Sequence, residues 1–359
     1  MSTFSSVKTA GIPSYSGAVK IWLLSGVVMI FFQVVVGGIT RLTGSGLSIT
    51  RWEIITGTLP PMSEQGWNEA FDLYKATPQY EKINEGMSMS EFKFIYFWEY
   101  IHRLWARLMG FVFIFPFVFF LWKKQFDPPL LRRLVVVFLL AALVASFGWI
   151  MVASGFIERP WVNAYKLTMH LSLAFICYAY LLWTAFKVYR PQGASLSSKT
   201  LNRSIGLIVG LLALQIILGG TVSGMRAALL YPTWPDMQGQ FIPEILLQGE
   251  AWNWKNFVNY DSNAFMSAFV QFFHRNIGYL ISLLILLFVY RLFKTGISGI
   301  LKKVALLMLG MLIIQVLLGI FTLINSIGII PVSLGVLHQA GALVLLSLAM
   351  WTKYLITAE

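Results

Sequence analysis

Eight long apolar segments divide the chain, and shorter polar segments separate them. Each is close to the length of about 20 residues that an α-helix needs to cross a hydrocarbon core. The pattern predicts an all-α integral membrane protein, with spanning helices at 19–40, 95–122, 130–152, 163–187, 201–223, 264–293, 301–325 and 330–355.

Charge is distributed unevenly between the connecting segments. Those that join helices two to three, four to five and six to seven are basic, with Asp127 as their only acid, whereas the long segments 41–94 and 224–263 are mixed. The positive-inside rule therefore predicts that both termini are cytoplasmic and that the two long loops face outward. We expect the first loop to form a small cap, with Trp52 and Trp67 at the membrane interface.

Composition supports this class. The chain has 359 residues, of which 57% are hydrophobic and 12% are charged, and its mean hydropathy of +0.72 excludes a soluble protein. The net charge of +12 lies in short loops, so we expect no nucleic-acid partner. The single cysteine, Cys177, permits no intramolecular disulfide and is expected to be a small core residue. The first 18 residues lack an apolar signal region, which favours a bacterial inner membrane over an organelle.

A short segment recurs in each odd-numbered helix, and each even-numbered helix carries one of the four histidines. The segments run from Gln33 to Gly37, Val144 to Gly148, Gln215 to Gly219 and Gln315 to Gly319, and the histidines are His102, His170, His274 and His338. We interpret the chain as two tandem four-helix bundles in parallel orientation, at 19–190 and 201–355, with a cytoplasmic tail at 1–18 and a linker at 191–200.

The four histidines are expected at similar depth, roughly 10 to 15 Å inside the outer ends of their helices. Two imidazoles that face each other across a bundle are what axial ligation of a haem iron requires. The alternative is that each is a hydrogen-bonded interhelical residue. A zinc or iron site without porphyrin needs further donors, and Glu99 alone is nearby.

Glu99 lies one helical turn before His102, and Gln271 takes the same place before His274. A carboxylate can ionise or move a proton, which an amide cannot, so we expect the first half to be catalytic and the second to hold a haem. The alternative is a structural Glu99 bonded to a polar neighbour. Arg103 and Arg275 are expected either to bind haem propionates or to reach headgroups or loop acids.

Several motifs occur in the order typical of one family, and together they cover nearly the whole chain. They are the segment from Gly37 to Ser48, the segment from Glu99 to Arg103, the segment from Tyr231 to Met237, and the segment from Leu337 to Gly341. In these motifs the chain resembles haem A synthase, of the mitochondrial and proteobacterial type with a long first outer loop.

The resemblance implies oxidation of the C8 methyl of haem O to a formyl group, in two oxygenation steps whose gem-diol loses water. It also implies that His274 and His338 hold a resident haem B, that His102 and His170 flank the substrate porphyrin, and that Glu99 is the family's essential acid. The implied partners are haem O synthase, a ferredoxin-type electron donor and the cytochrome oxidase assembly machinery. Val144 departs from the glutamine of the other quarters, and the loop cysteine pair of some members is absent.

Two other functions remain compatible with the residues alone. A membrane b-type multihaem cytochrome fits the bundles and histidines equally well, but has no need of the difference between Glu99 and Gln271. A transporter or haem exporter is also compatible with parallel repeats.

Overall fold

The computed structural model describes residues 15–51, 59–156, 160–190 and 195–357, and it confirms an all-α membrane protein with eight helices long and apolar enough to span a bilayer. Those helices are α1 (Gly17–Leu42), α3 (Met89–Trp122), α4 (Pro128–Ala153), α5 (Ala164–Tyr189), α6 (Lys199–Gly224), α8 (Phe265–Phe293), α9 (Gly299–Ile324) and α10 (Val332–Leu355). Two shorter helices, α2 (Glu64–Lys75) and α7 (Trp254–Val258), lie in the long loops, and two short strands are β1 (Leu196–Ser197) and β2 (Ile356–Thr357).

Side-chain caps explain where several helices begin. Ser16, Asp127 and Asn163 each accept a hydrogen bond from a backbone N–H in the first turn of the helix that follows. The second spanning helix begins at Met89 instead of the predicted 95, because Ser88 and Glu91 form a capping box ahead of the apolar run. His102 therefore lies farther from the start of its helix than the prediction placed it.

Four helices form the centre of the molecule. α1 packs against α5 and α10, and α6 packs against α5 and α10, so that these four join the two parts of the chain, while α3 and α4 flank one side and α8 and α9 the other. The main core cluster is mostly aliphatic, includes Leu181, Ile205, Ile285 and Leu343, and contains some aromatic side chains such as Trp22 and Phe175. Large apolar side chains cover the outer faces of the flanking helices, as lipid contact requires.

The first long loop packs on the top of α3. Trp67, Phe71 and Tyr74 of α2 contact Phe92, with the Phe71 and Phe92 rings stacked at 4.8 Å between centroids. This small aromatic core agrees with the expected cap. Trp52, expected at the interface, lies outside the described residues.

The linker between the two parts of the chain is bonded to the end of the chain. β1 pairs in parallel with β2, Leu196 beside Ile356 and Ser197 beside Thr357. Residues 191–194 of the predicted linker and most of the tail at 1–18 lie outside the described residues. The two predicted domains and their boundaries stay a prediction.

Candidate functional site

Every histidine of the chain packs against the glycine of a recurring segment. A Cβ added to that glycine would lie 2.8 to 3.2 Å from the histidine Cε1, in the pairs Gly37 with His102, Gly148 with His170, Gly219 with His274 and Gly319 with His338. These distances are shorter than ordinary van der Waals contact, so each glycine leaves the space that an imidazole ring occupies. The four contacts explain why the recurring segments end in glycine.

His274 and His338 face each other between α8 and α10. Their ring centroids are 6.4 Å apart and the ring planes are inclined by 78°. Two imidazoles bound to one metal through bonds of about 2 Å place their ring centres roughly 6 Å apart, so the observed separation fits axial ligation of one iron from both sides. Within the described ranges, no group of three or more His, Cys, Asp or Glu side chains forms a cage that could hold a bare metal ion.

His102 and His170 project from α3 and α5, two helices that both pack against α1. Nδ1 of His170 donates to the backbone carbonyl of Val144 at 2.9 Å. The amide Nε2 of Gln33 lies 3.3 Å from each ring nitrogen of His102. Both rings are therefore held from the side by a neighbouring helix, as a pair of axial ligands has to be.

Glu99 is the centre of a buried polar cluster one turn above His102. Its side chain is 3% exposed, and Oε2 accepts hydrogen bonds of 2.8 Å from the Ser48 hydroxyl and from the Ile49 N–H. Oε1 forms an ion pair with Arg103, 2.6 Å from Nη2. Arg103 also donates to the Ile49 carbonyl at 3.1 Å. The carboxylate thus fastens the outer loop to α3.

In the second part of the chain, Gln271 and Arg275 stand at the helix positions of Glu99 and Arg103, and they also hold a long loop. Nε2 of Gln271 donates to the Tyr231 carbonyl at 2.8 Å. Arg275 donates to the carbonyls of Thr233, at 2.9 Å, and of Pro235, at 3.0 Å. The segment from Tyr231 to Met237 is therefore a loop anchored above His274. Each loop is held by an arginine and by the side chain one turn before it. That side chain is a carboxylate in the first part of the chain and an amide in the second.

The sequence left open a Glu99 bonded to a polar neighbour, which the structure shows, but sequence reasoning did not identify the partners in these anchoring contacts. Arg103 and Arg275 were expected at propionates, headgroups or loop acids, whereas the described contacts of Arg103 are with Glu99 and loop carbonyls, and those of Arg275 are with loop carbonyls. The spacing of four residues between Glu99 and Arg103 is a readable signal for a helical ion pair. The contact of Glu99 with Ser48 has no local signal, because the two residues lie on different elements. Contact of either arginine with a propionate stays a prediction.

The fit between glycine and histidine gives a direct prediction for α9. Gly319→Ala is expected to displace His338 and, on the prediction that His338 is an axial ligand of a haem, to weaken haem retention about tenfold or more, since altered support of a metal ligand commonly costs that much. Gly310→Ala is the matched control, because a Cβ at Gly310 has nothing within 4 Å. The measurement is haem content per protein after purification at equal dilution. Equal retention in the two variants would contradict the role of the glycine.

Known proteins match this chain over most of its length. The family described as "Cytochrome oxidase assembly protein" matches residues 20–350. A haem A synthase of Nitrosospira multiformis is 42% identical over 340 residues, which is 94% of this chain and 92% of that protein. Those of Flavobacterium psychrophilum and Parvibaculum lavamentivorans are 41% identical over 341 residues and 40% identical over 334, covering 94% and 93% of this chain and 97% and 93% of their own length.

Proposed function

The chain belongs to the haem A synthase family of cytochrome oxidase assembly proteins, and on that premise we propose how its residues divide the work. The protein is a membrane oxidoreductase that converts haem O to haem A for cytochrome oxidase assembly. His274 and His338 hold a resident haem B, and His102 and His170 bind the iron of the substrate porphyrin. The observation that supports this most directly is the 6.4 Å separation between the rings of His274 and His338.

The resident haem supplies one-electron transfer when it is bound. The protein's own part is to present two imidazoles at a fixed separation and to keep each ring in one orientation. The glycines beside the rings perform the second task, because a ring that fits against backbone cannot swing toward α9 or α6.

Glu99 provides the acidic group beside the substrate site. It lies one turn from His102, carries a carboxylate where the second part has an amide, and is held rigidly by Ser48, Ile49 and Arg103. A buried carboxylate fixed by such contacts can stabilise positive charge or exchange a proton at a defined place. The loop bonded to it covers the site from above and limits access of water.

The setting follows from the same assignment. We place the enzyme in a bacterial inner membrane with both termini cytoplasmic, so that the anchored loops and the histidines lie toward the outer side. Haem O synthase upstream, a ferredoxin-type electron donor and the oxidase assembly machinery downstream are the partners that this activity needs. We propose that Arg103 and Arg275 also bind propionates of the two porphyrins.

The test is to identify the haems in the purified protein by extraction and chromatography. The protein is co-expressed with a haem O source in cells that make no haem A. We expect haem B together with haem O, a hydroxylated intermediate and haem A. Haem B alone would support an electron-transfer cytochrome instead, and a protein without haem would contradict the ligand assignment itself.

A further inference from the structure

Three glutamines stand one turn before the glycines that face His102, His274 and His338. Each donates from its amide Nε2 to the backbone carbonyl of the histidine on the facing helix: Gln33 to His102 at 3.1 Å, Gln215 to His274 at 2.8 Å and Gln315 to His338 at 2.9 Å. The same contact in three of the four quarters places the amide beside the residue that carries the imidazole.

The oxygen atom of each side-chain amide takes no part in these contacts. The side-chain oxygens of Gln33, Gln215 and Gln315 are buried and have no hydrogen-bond partner within the described part of the chain. Nδ1 of His274, in the same cradle as Gln215, is likewise buried without a partner there. Buried acceptors and donors are normally paired, so these atoms indicate an interaction that forms in another state of the site.

Two further glycines make room for the amides. A Cβ at Gly341 would collide with Oε1 of Gln315, and one at Gly278 would lie 3.3 Å from Nε2 of Gln215. Both glycines stand about one turn after a histidine, on the same helix. The amide therefore lies in a slot built beside the ring, and in the fourth quarter Nε2 of Gln315 is 3.2 Å from Nδ1 of His338.

In the quarter without a glutamine, a backbone carbonyl contacts the imidazole instead. Val144 replaces the glutamine, and its backbone carbonyl accepts the Nδ1 hydrogen bond of His170 at 2.9 Å. That arrangement leaves Nε2 of His170 as the nitrogen for a metal. An imidazole that binds a metal through one nitrogen almost always donates its other N–H to an acceptor, which fixes its orientation and raises its basicity.

We propose that Gln33, Gln215 and Gln315 are positioning residues whose amides turn when the facing rings bind haem iron, so that Oε1 replaces Nε2 beside the ring and accepts the Nδ1 proton of His102, His274 and His338. This rests on the proposed function, which supplies the two haems. It follows that three of the four ligands are tuned by a side-chain amide and the fourth by backbone. Hydrogen bonding to an axial ligand is one of the means by which a protein sets a haem's reduction potential.

The test compares Gln315→Met and Gln315→Glu in the full-length purified protein. Methionine removes the acceptor, so the resident haem is expected to bind about 10- to 100-fold less tightly and its midpoint potential to rise. Glutamate keeps an acceptor and adds negative charge, so the potential is expected to fall while haem is retained. Spectroelectrochemical titration gives the potential, and electron paramagnetic resonance of the oxidised protein gives the ligand field.

Gln339→Met is the matched control. Gln339 follows His338 directly, but its amide donates to the Val34 carbonyl on α1 at 2.9 Å and not to the ring. Gln339→Met makes the same change of side chain next to His338. We expect the midpoint potential of the resident haem and its electron paramagnetic resonance spectrum to stay at parental values.

Unchanged potential and spectrum in both Gln315 variants would overturn the inference, as would an equal shift in Gln339→Met. Loss of haem from both Gln315 variants would also overturn it, because glutamate preserves the acceptor. These outcomes are distinct from failure of the proposed function, which a parental protein without haem B would reveal.

Discussion

Replacing either His274 or His338 with alanine is expected, on the proposed ligand assignment, to remove the resident haem B. The two rings lie 6.4 Å apart, which suits axial ligation of one iron, and within the described residues no group of three or more His, Cys, Asp or Glu side chains forms another metal site. Loss of one donor opens that side of the iron, and the low-spin spectrum of a haem with two histidine ligands disappears. The measurement is the reduced-minus-oxidised spectrum, with haem quantified by extraction.

His102→Ala and His170→Ala serve as the matched controls for that prediction. They remove the corresponding donors on α3 and α5, so the resident haem B is expected to persist while haem A is no longer formed. Low-spin haem B that persists unchanged in both His274→Ala and His338→Ala would refute the assignment of the two sites.

Glu99→Gln is expected to slow haem A formation by about 10²–10⁴-fold, the usual contribution of a positioned acid or base. The amide keeps the shape and can still accept from Ser48 and Ile49, but it has no charge and no exchangeable acid proton. Resident haem B is expected to remain. The measurement is the rate of haem A accumulation per enzyme, by chromatography.

The ion pair with Arg103 requires a separate control, because removing one partner of a buried pair destabilises a protein by about 3–5 kcal/mol. The double variant E99Q/R103Q removes the unbalanced cation. If this double variant formed haem A at the parental rate, Glu99 would serve to hold the loop and would not be the catalytic acid. Gln271→Ala tests the equivalent loop contact in the second part and is expected to leave the chemical step active.

The sequence predicts the spanning helices well because a hydrocarbon core imposes both their length and their apolarity. It also shows that the glycine segments and the histidines recur along the chain, but the packing of each glycine against a histidine ring is visible only in the structure. The start of α3 was readable too, from the capping box of Ser88 and Glu91, but hydropathy alone placed it too late.

Contacts between distant elements were beyond such reasoning. The bonds from Ser48 and Ile49 to Glu99 depend on how a loop folds back over α3. The hold of Arg275 on the loop from Tyr231 to Met237 is of the same kind. In both cases the residue types are visible in the sequence, but the partner is chosen by tertiary packing.

The pairing of β1 with β2 joins the segment before α6 to the residues that follow α10. During synthesis, the first four spanning helices and Leu196 leave the ribosome long before Ile356 exists. The two strands can therefore pair only after α10 has been inserted, so their pairing is a late step in biogenesis. A polypeptide cut after α10 would lose the pairing of β1 with β2, although every spanning helix that the structure describes would still be present.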